Sequence, residues 1–214
     1  MIIPEAEINK LPPIVRDLCR QWAGFMHDRV RFNMPDSPIH ALGHCERVLL
    51  YALIMGNRIF GDDGERLEIL AHAAVFHDTR RQDDYLDTGH GARAAVYYKE
   101  FCEENDDIAY HPESALLMRY HDLDDRKGYK AIENEFPADT RRVDKLYDIF
   151  KDADALDRWR IGRNGLDPGY LRTPESRELV DYARDLVLET VDRDFLAFIE
   201  RKVDAAIERQ KSGK

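Results

Sequence analysis

The feature that most constrains this chain is an apolar run that ends in two adjacent polar residues, His77 and Asp78. The run covers positions 67–76, reads LEILAHAAVF, and has the composition of a buried helix. Burying an imidazole beside a carboxylate is costly unless a partner satisfies both groups. A metal ion is the natural partner, so the question is whether other segments supply the remaining ligands.

Helical periodicity dominates the rest of the chain, and no segment shows the strict alternation of a half-buried strand. We therefore expect an all-α fold with a single domain over residues 1–214, since no linker suited to a domain boundary is present. Pro13 and Pro112 fall where helices begin, because proline is favoured in the first helical turn. The polar segment 122–140 is expected to be irregular. The predicted helices cover about 13–31, 44–60, 67–76, 90–105, 112–121, 141–160 and 174–210.

The charge balance restricts the class of partner. The net charge is -10 and 35% of the residues are charged, so binding to nucleic-acid polymers or anionic membranes is not expected. A small phosphorylated substrate is compatible if its pocket is locally positive. The three scattered cysteines indicate reduced thiols rather than disulfides or a thiolate zinc site. Without a signal peptide or a run of about 20 apolar residues, a cytoplasmic protein is expected.

The predicted helix at 141–160 contains two candidate ligands in the motif DAD. An advance of about 100° per residue from Val143 places Asp154 on the apolar face and Asp152 nearly opposite, toward solvent. Asp154 is therefore the expected ligand, although a buried aspartate can also pair with an arginine or cap a helix. Asp157 lies on the same face as Asp154, one turn further along.

Several histidines stand at or near predicted helix ends. His44 opens the second helix, and His40 competes with it from an irregular segment one turn earlier. His121 ends the apolar stretch ALLMRYH, and His90 begins a helix beside small residues. Each alone is compatible with a structural or surface histidine. The histidines expected to serve other purposes are His72 in the core and His27 and His111 at the surface.

Taken together, separate helices each place a histidine or a carboxylate at a buried or nearly buried end. Neutral imidazoles and carboxylates without thiolates favour a mid-row divalent ion such as iron, manganese, cobalt or nickel. Zinc and magnesium are alternatives. The pattern therefore predicts a metal site inside a helical bundle.

This ordered set resembles the HD superfamily of metal-dependent phosphohydrolases. The residues that carry the resemblance span positions 44 to 154: His44 in HCERV, the pair His77-Asp78, and Asp154 in DADALD. The resemblance implies a helical bundle of the HD type with its metal-site core at about 40–160. A first ion would be held by His44, His77, Asp78 and Asp154.

Two further histidines match the binuclear members of that superfamily, in which the aspartate of the HD pair bridges two ions. By this resemblance Asp78, His90 and His121 would hold a second ion and would act as catalytic residues. Some mononuclear nucleotidases of the superfamily carry a catalytic glutamate three residues after the HD pair. This chain has Arg81 there, which fits a cationic phosphate contact better than the nucleotidase mechanism.

The expected activity is hydrolysis of a small phosphate monoester or diester, in particular a nucleotide, by attack of metal-bound hydroxide. Developing charge on phosphoryl oxygens needs cations, and we expect Arg47, Arg81 and Arg172 to contact the substrate. Two alternatives stay open: a di-iron oxygenase of the same fold, and a non-catalytic nucleotide-binding sensor. The sequence is compatible with either a monomer or a homodimer.

Overall fold

A helix that is buried along most of its length forms the centre of the fold. In the computed structural model, which describes residues 1–212 and side chains through residue 208, this helix is α4, Gly64–Phe76. The side chain of Asp63 caps its start by accepting a hydrogen bond from the backbone N–H of Arg66 at 3.1 Å. Every residue from Ile69 to Phe76 is buried. Because α4 ends inside the protein, the two residues that follow it reach the interior.

Helices make up all of the regular secondary structure in residues 1–212, which confirms the all-α prediction. The other α-helices are α1 (Glu5–Ile8), α2 (Pro13–Arg29), α3 (Leu42–Phe60), α5 (His90–Glu104), α6 (Pro112–Tyr120), α7 (Asp125–Glu135), α8 (Thr140–Leu156), α9 (Pro174–Glu178), α10 (Val180–Thr190) and α11 (Arg193–Ser212). Short 3₁₀ helices cover Asp157–Ile161 and Pro168–Tyr170. Within the described residues, no helix is long and apolar enough to cross a membrane.

The core lies between α4 and the helices packed around it. Helix α3 makes extensive contacts with α4, α8 and α2, while α6 packs against α4 and α5. Large side chains that are fully buried fill the space between them, including Tyr51, Phe76, Tyr98 and Phe150. Helices α3, α4, α6 and α8 are therefore neighbours in one bundle, and residues near their ends can meet.

The polar segment 122–140 is not irregular, and this prediction is wrong. Residues Asp125–Glu135 form α7, and the side chain of Asp124 caps it by accepting from the N–H of Arg126 at 3.0 Å. The buried residues of this helix are Gly128, Ala131 and Ile132, whose spacing of three and one gives only a narrow apolar stripe. Such a narrow stripe is hard to separate from a loop by composition.

The single long helix predicted for 174–210 is also wrong, because the chain divides there into α9, α10 and α11. Val191 is extended, and Asp192 starts α11 by accepting a hydrogen bond from the N–H of Phe195 at 2.8 Å. The sequence places Leu179, Tyr182, Ala183 and Leu186 on one apolar face that could pack internally or form a dimer contact. In the structure Leu179, Ala183 and Leu186 are at most 4% exposed, and Tyr182 is partly buried and packs against the core.

A glycine sets the distance between α5, which begins at His90, and α6, which ends just before His121. A Cβ at Gly91 would lie 2.2 Å from the carbonyl oxygen of Met118. Gly91→Ala should therefore lower the free energy of unfolding by about 2–3 kcal/mol, since backbone must move to relieve the overlap. Urea unfolding measures this. Gly24→Ala in α2, where a Cβ meets nothing within 4 Å, is the matched control and should be neutral or stabilising. Equal stability of the two variants would contradict the close packing.

Candidate metal centre

The residues predicted as metal ligands converge at one end of the bundle. They occupy helix ends: His44 in the first turn of α3, His77 and Asp78 after α4, His90 at the start of α5, His121 after α6, and Asp154 in the last turn of α8. The four imidazoles and Asp78 are at most 6% exposed. The bundle thus brings together side chains from five helices that are far apart in sequence.

Hydrogen bonds fix the same tautomer in each of these four histidines. Each Nδ1 lies close to an oxygen atom: His44 at 2.8 Å from Asp157 Oδ2, His77 at 2.8 Å from the Ala74 carbonyl, His90 at 2.6 Å from the Asp87 carbonyl, and His121 at 2.7 Å from the Met118 carbonyl. Carbonyl and carboxylate oxygens only accept, so Nδ1 carries the proton in each ring. Each Nε2 then presents a lone pair, which is the form that binds a metal.

These Nε2 atoms face one another in two pairs. The Nε2 atoms of His44 and His77 are 3.1 Å apart, and those of His90 and His121 are 2.9 Å apart. When both rings of a pair are neutral in this tautomer, two lone pairs at this distance repel each other unless a cation lies against both. Adjacent ligand atoms around an octahedral ion with bonds of about 2.1 Å are about 3 Å apart, which matches both pairs.

The carboxylate of Asp78 lies between the two pairs. Its Oδ2 is 3.6 Å from His44 Nε2, and its Oδ1 is 3.0 Å from His90 Nε2 and 3.6 Å from His121 Nε2. Among the described residues, Oδ1 is buried and finds no hydrogen-bond partner. A buried carboxylate oxygen without a donor is costly, and a metal ion would satisfy it.

The protonation states follow from burial and from this cluster of groups. Burial tends to raise the pKa of Asp78, but the neighbouring imidazoles, His77 foremost, hold that pKa well below its usual range. Burial lowers the pKa of His77 to about 3, so this imidazole is neutral near pH 7. Burial also tends to lower the pKa of His121, but the neighbouring Asp78 carboxylate outweighs it and raises that pKa. An ionised carboxylate beside a neutral imidazole is the state in which both bind metal.

The donor set therefore fits a divalent ion. Ligand atoms of His44, His77 and Asp154 all lie within 4.8 Å of one another, as do those of His77, Asp78 and His121. Nitrogen and carboxylate oxygen donors suit mid-row divalent ions and zinc. A cluster of buried histidines and aspartates that could hold a metal ion is thus part of the fold, and these donors leave the kind of ion open.

The solvent exposure of the two aspartates in DAD differs from the prediction. Asp152 was expected to face solvent and is fully buried, while the side chain of Asp154 is 28% exposed. The residues after Leu171 cover Asp152, whose Oδ2 accepts from Thr173 N–H at 2.8 Å and Ser176 Oγ at 2.8 Å. Helical periodicity predicts that Asp154 faces the cluster, and its Oδ1 lies 3.2 Å from His44 Nε2. Periodicity within one helix could not predict that a distant segment covers the opposite face, which carries Asp152.

Arg81, which the sequence predicts to contact substrate, lies at the edge of the cluster. Its NH1 is 3.7 Å from Asp78 Oδ1, and its NH2 donates to the Tyr85 carbonyl at 2.8 Å. Its Nε donates to the Asp83 carbonyl at 3.2 Å. The guanidinium therefore also holds the loop between α4 and α5 in place.

The other two arginines predicted to contact substrate lie elsewhere. Arg47 donates to Asp157 Oδ1 at 2.5 Å, and it is buried. Arg172 pairs with Asp125 at 2.7 Å and with Asp152 at 3.0 Å. Both guanidinium groups are occupied by carboxylates, so the structure gives them a structural role and does not bring them to the metal ligands.

Two side chains near the ligands were not singled out as site residues from the sequence. His40 Nδ1 lies 2.8 Å from Asp78 Oδ2, although His40 belongs to an irregular segment. Arg160 donates through Nε to the Ile39 carbonyl at 2.7 Å, and its buried NH1 has no hydrogen-bond partner in the described part of the chain. The only sequence signal for Arg160 is that it stands three residues after Asp157. That spacing indicates a shared helix face only once the 3₁₀ helix at Asp157–Ile161 is known.

An open cavity of about 440 Å³ lies above the cluster. Its lining includes the ligands Asp78, His90, His121 and Asp154, the cations Arg81, Lys151, Arg158 and Arg160, and the apolar residues Ile39, Tyr85, Leu86 and Ile161. The carboxylates in this wall would repel an anion, so an anionic ligand requires either divalent cations or the surrounding arginines. The cavity has room for a small molecule of nucleotide size.

Comparisons with known proteins add no relative to this description. No protein-family model matches the chain, and neither the curated proteins nor the solved structures searched contain a significant match.

Proposed function

We propose that this chain is an HD-type metal-dependent phosphohydrolase that cleaves a small phosphate monoester or diester, with a nucleotide as the favoured substrate. The observation that most strongly supports the proposal is the arrangement of four imidazole Nε2 atoms in two pairs around the buried carboxylate of Asp78. The order of the H…HD…D residues along the chain agrees with it.

The residues divide into two ligand groups that share Asp78. His44, His77 and Asp154 would hold a first ion together with Asp78, and His90 and His121 would hold a second with the same carboxylate. A divalent ion in such a centre polarises a phosphoryl oxygen and makes hydroxide available near neutral pH. The protein's own contribution is to keep each Nδ1 protonated by its oxygen acceptor, which aims each Nε2 lone pair inward.

The cations of the cavity wall would bind the substrate phosphate. Arg81 and Arg160 are buried beside the ligands, and Arg158 is exposed on the same wall. Arg160 NH1 has hydrogen-bonding capacity left, because its ion pair with Asp157 Oδ2 spans 3.5 Å. A guanidinium suits this task because its planar donors match phosphate oxygens and strengthen as charge develops on them.

Turnover should depend on divalent metal. Chelator-treated protein is expected to release no phosphate or nucleoside monophosphate from a panel of nucleotides, p-nitrophenyl phosphate and its diester. Addition of Mn²⁺, Co²⁺, Ni²⁺ or Fe²⁺ should restore release, and His77→Ala should not respond. His27→Ala is the control, since that side chain pairs with Glu46 away from the cavity.

Two outcomes would contradict the proposal. One is metal-loaded protein that cleaves no ester of the panel while His77→Ala retains the wild-type metal content. The other is iron-loaded protein that consumes oxygen without hydrolysing any ester, which would favour an oxygenase on the same frame.

A further inference from the structure

Two adjacent large side chains stand exposed at the tip of the loop between α4 and α5. Tyr85 is 87% exposed and Leu86 is 91% exposed, more than any other large apolar or aromatic side chain through residue 208. Both line the cavity above the metal centre. Apolar surface left in water does not stabilise the fold, so these two residues are available to a ligand that enters the cavity.

Hydrogen bonds hold this loop in a fixed shape. Arg81 donates through NH2 to the Tyr85 carbonyl at 2.8 Å and through Nε to the Asp83 carbonyl at 3.2 Å. The backbone N–H of Tyr85 donates to Asp83 Oδ1 at 2.7 Å. On the other side of the tip, Asp87 accepts from Arg93 NH2 at 2.6 Å. Because the loop is already ordered, a ligand that binds its tip pays little of the entropy cost of ordering it.

The guanidinium of Arg81 also fixes how far the loop tip lies from the metal ligands. Its NH1 is 3.7 Å from Asp78 Oδ1, while its NH2 bonds to the Tyr85 carbonyl. Since the group is planar and small, that carbonyl lies within about 9 Å of the Asp78 carboxylate. A nucleotide can span such a distance between its phosphate and its base. A phosphate bound at the metal centre would therefore leave the base beside Tyr85 and Leu86.

A second pair of apolar side chains lines the same cavity. Ile39 and Ile161 are both half-buried there. Ser37 Oγ donates to Asp84 Oδ1 at 2.5 Å, which ties the turn before Ile39 to the loop that carries Tyr85. The cavity therefore offers apolar and aromatic surface in addition to the metal ligands and the cations, as a ligand with both a phosphate and a planar ring requires.

We propose that Tyr85 and Leu86 bind the base of a nucleotide, with the ring of Tyr85 stacked on it. This inference rests on the proposed function in placing the phosphate at the metal centre. An aromatic ring on which a base stacks typically contributes about 5- to 100-fold in affinity. A sugar phosphate without a base has nothing to place against the two side chains. Tyr85 is therefore a specificity-determining residue that separates nucleotides from simpler phosphoesters.

Binding of non-hydrolysable analogues to Mn²⁺-loaded protein tests this assignment without requiring turnover. The probes are phosphonates, with CH₂ in place of the ester oxygen, that correspond to the 5′-monophosphates of adenosine, guanosine, cytidine and uridine and to ribose 5-phosphate. In isothermal titration calorimetry, the best nucleotide analogue should bind at least about tenfold more tightly than the ribose analogue. Tyr85→Ala should weaken the nucleotide analogue about 5- to 100-fold and change the ribose analogue less than about twofold. Tyr85→Phe keeps the ring and should retain the affinity.

Tyr170→Ala is the matched control, since Tyr170 is 78% exposed on a 3₁₀ helix and does not line the cavity. Equal affinity for the nucleotide and ribose analogues, no binding of either, or equal losses in Tyr85→Ala and Tyr170→Ala would overturn the proposal. A dimer that Tyr85→Ala dissociates in light scattering would also overturn it, because the exposed pair would then be a contact between copies. Selective nucleotide binding by protein that hydrolyses no ester would support this inference and contradict the proposed hydrolysis.

Discussion

Replacing Asp78 by asparagine is expected to reduce metal-dependent phosphoester hydrolysis more than a hundredfold. Loss of an outer-shell partner alone typically costs about 10–100-fold in metal affinity or activity, and Asp78 would be a direct ligand of both ions. The carboxylate lies between the His44 side and the His90–His121 side of the cluster. Asparagine keeps the shape and removes the negative charge. The measurement is kcat/KM on the best ester together with metal content by atomic emission.

Asp154 supplies the matched comparison for Asp78. Its Oδ1 approaches His44, at 3.2 Å, and not the pair formed by His90 and His121. Asp154→Asn should therefore lose one ion per chain, whereas Asp78→Asn should lose both. Equal metal content in the two variants would contradict a shared, bridging role for Asp78.

Replacing Asp157 by asparagine is expected to lower the free energy of unfolding by about 3–5 kcal/mol at pH 7, since Arg47 would be left as a buried charge without its partner. Asp157 is fully buried and accepts from Arg47 at 2.5 and 3.0 Å and from His44 at 2.8 Å. Because Asp157 also holds the tautomer of His44, metal affinity should fall about 10–100-fold. Urea unfolding of metal-free protein and a metal titration measure the two effects.

The stability difference should depend on pH in a defined direction. Burial would raise the pKa of Asp157, but Arg47 and His44 outweigh it and lower the pKa from 3.8 to about 2. A carboxylate whose pKa falls on folding stabilises the protein fully above its unfolded pKa and loses that contribution as the pH drops through its folded pKa. The wild-type and Asp157→Asn curves should therefore converge between about pH 4 and pH 2.

Asp152→Asn separates the two roles of Asp157. Asp152 is equally buried and accepts hydrogen bonds from Arg172, Thr173 and Ser176, with no contact to a histidine of the centre. Its replacement should also destabilise the protein but leave metal affinity unchanged. A matching loss of metal affinity in both variants would show that Asp157 acts through general destabilisation alone.

How much the sequence predicts depends on how locally each feature is determined. The helix before His77 and the direction of Asp154 toward the cluster follow from periodicity over one helix and agree with the structure, although the side chain of Asp154 is 28% exposed. The burial of Asp152 depends on a segment some twenty residues away, which periodicity within a helix cannot report. Arg172 was expected to contact the substrate as a cation, yet its charge is paired with Asp125.

The sequence pattern also failed to predict where two helices begin at capping residues. Asp124 and Asp192 each begin a helix that hydropathy alone did not separate from its surroundings. Their short polar side chains satisfy the first free N–H groups of α7 and α11. The position of His40 also depends on a short polar side chain. Ser37 Oγ accepts the backbone N–H of His40 at 2.9 Å, and this turn holds His40 against Asp78.

An anomalous difference map from crystals grown with Mn²⁺ tests the metal centre most directly. We expect density within bonding distance of Asp78, with peaks against the Nε2 atoms of His44 and His77 and against those of His90 and His121. Density at both positions would agree with a carboxylate shared between two ions. Well-diffracting crystals of Mn²⁺-loaded protein with no anomalous peak near Asp78 would contradict a metal centre at this end of the bundle.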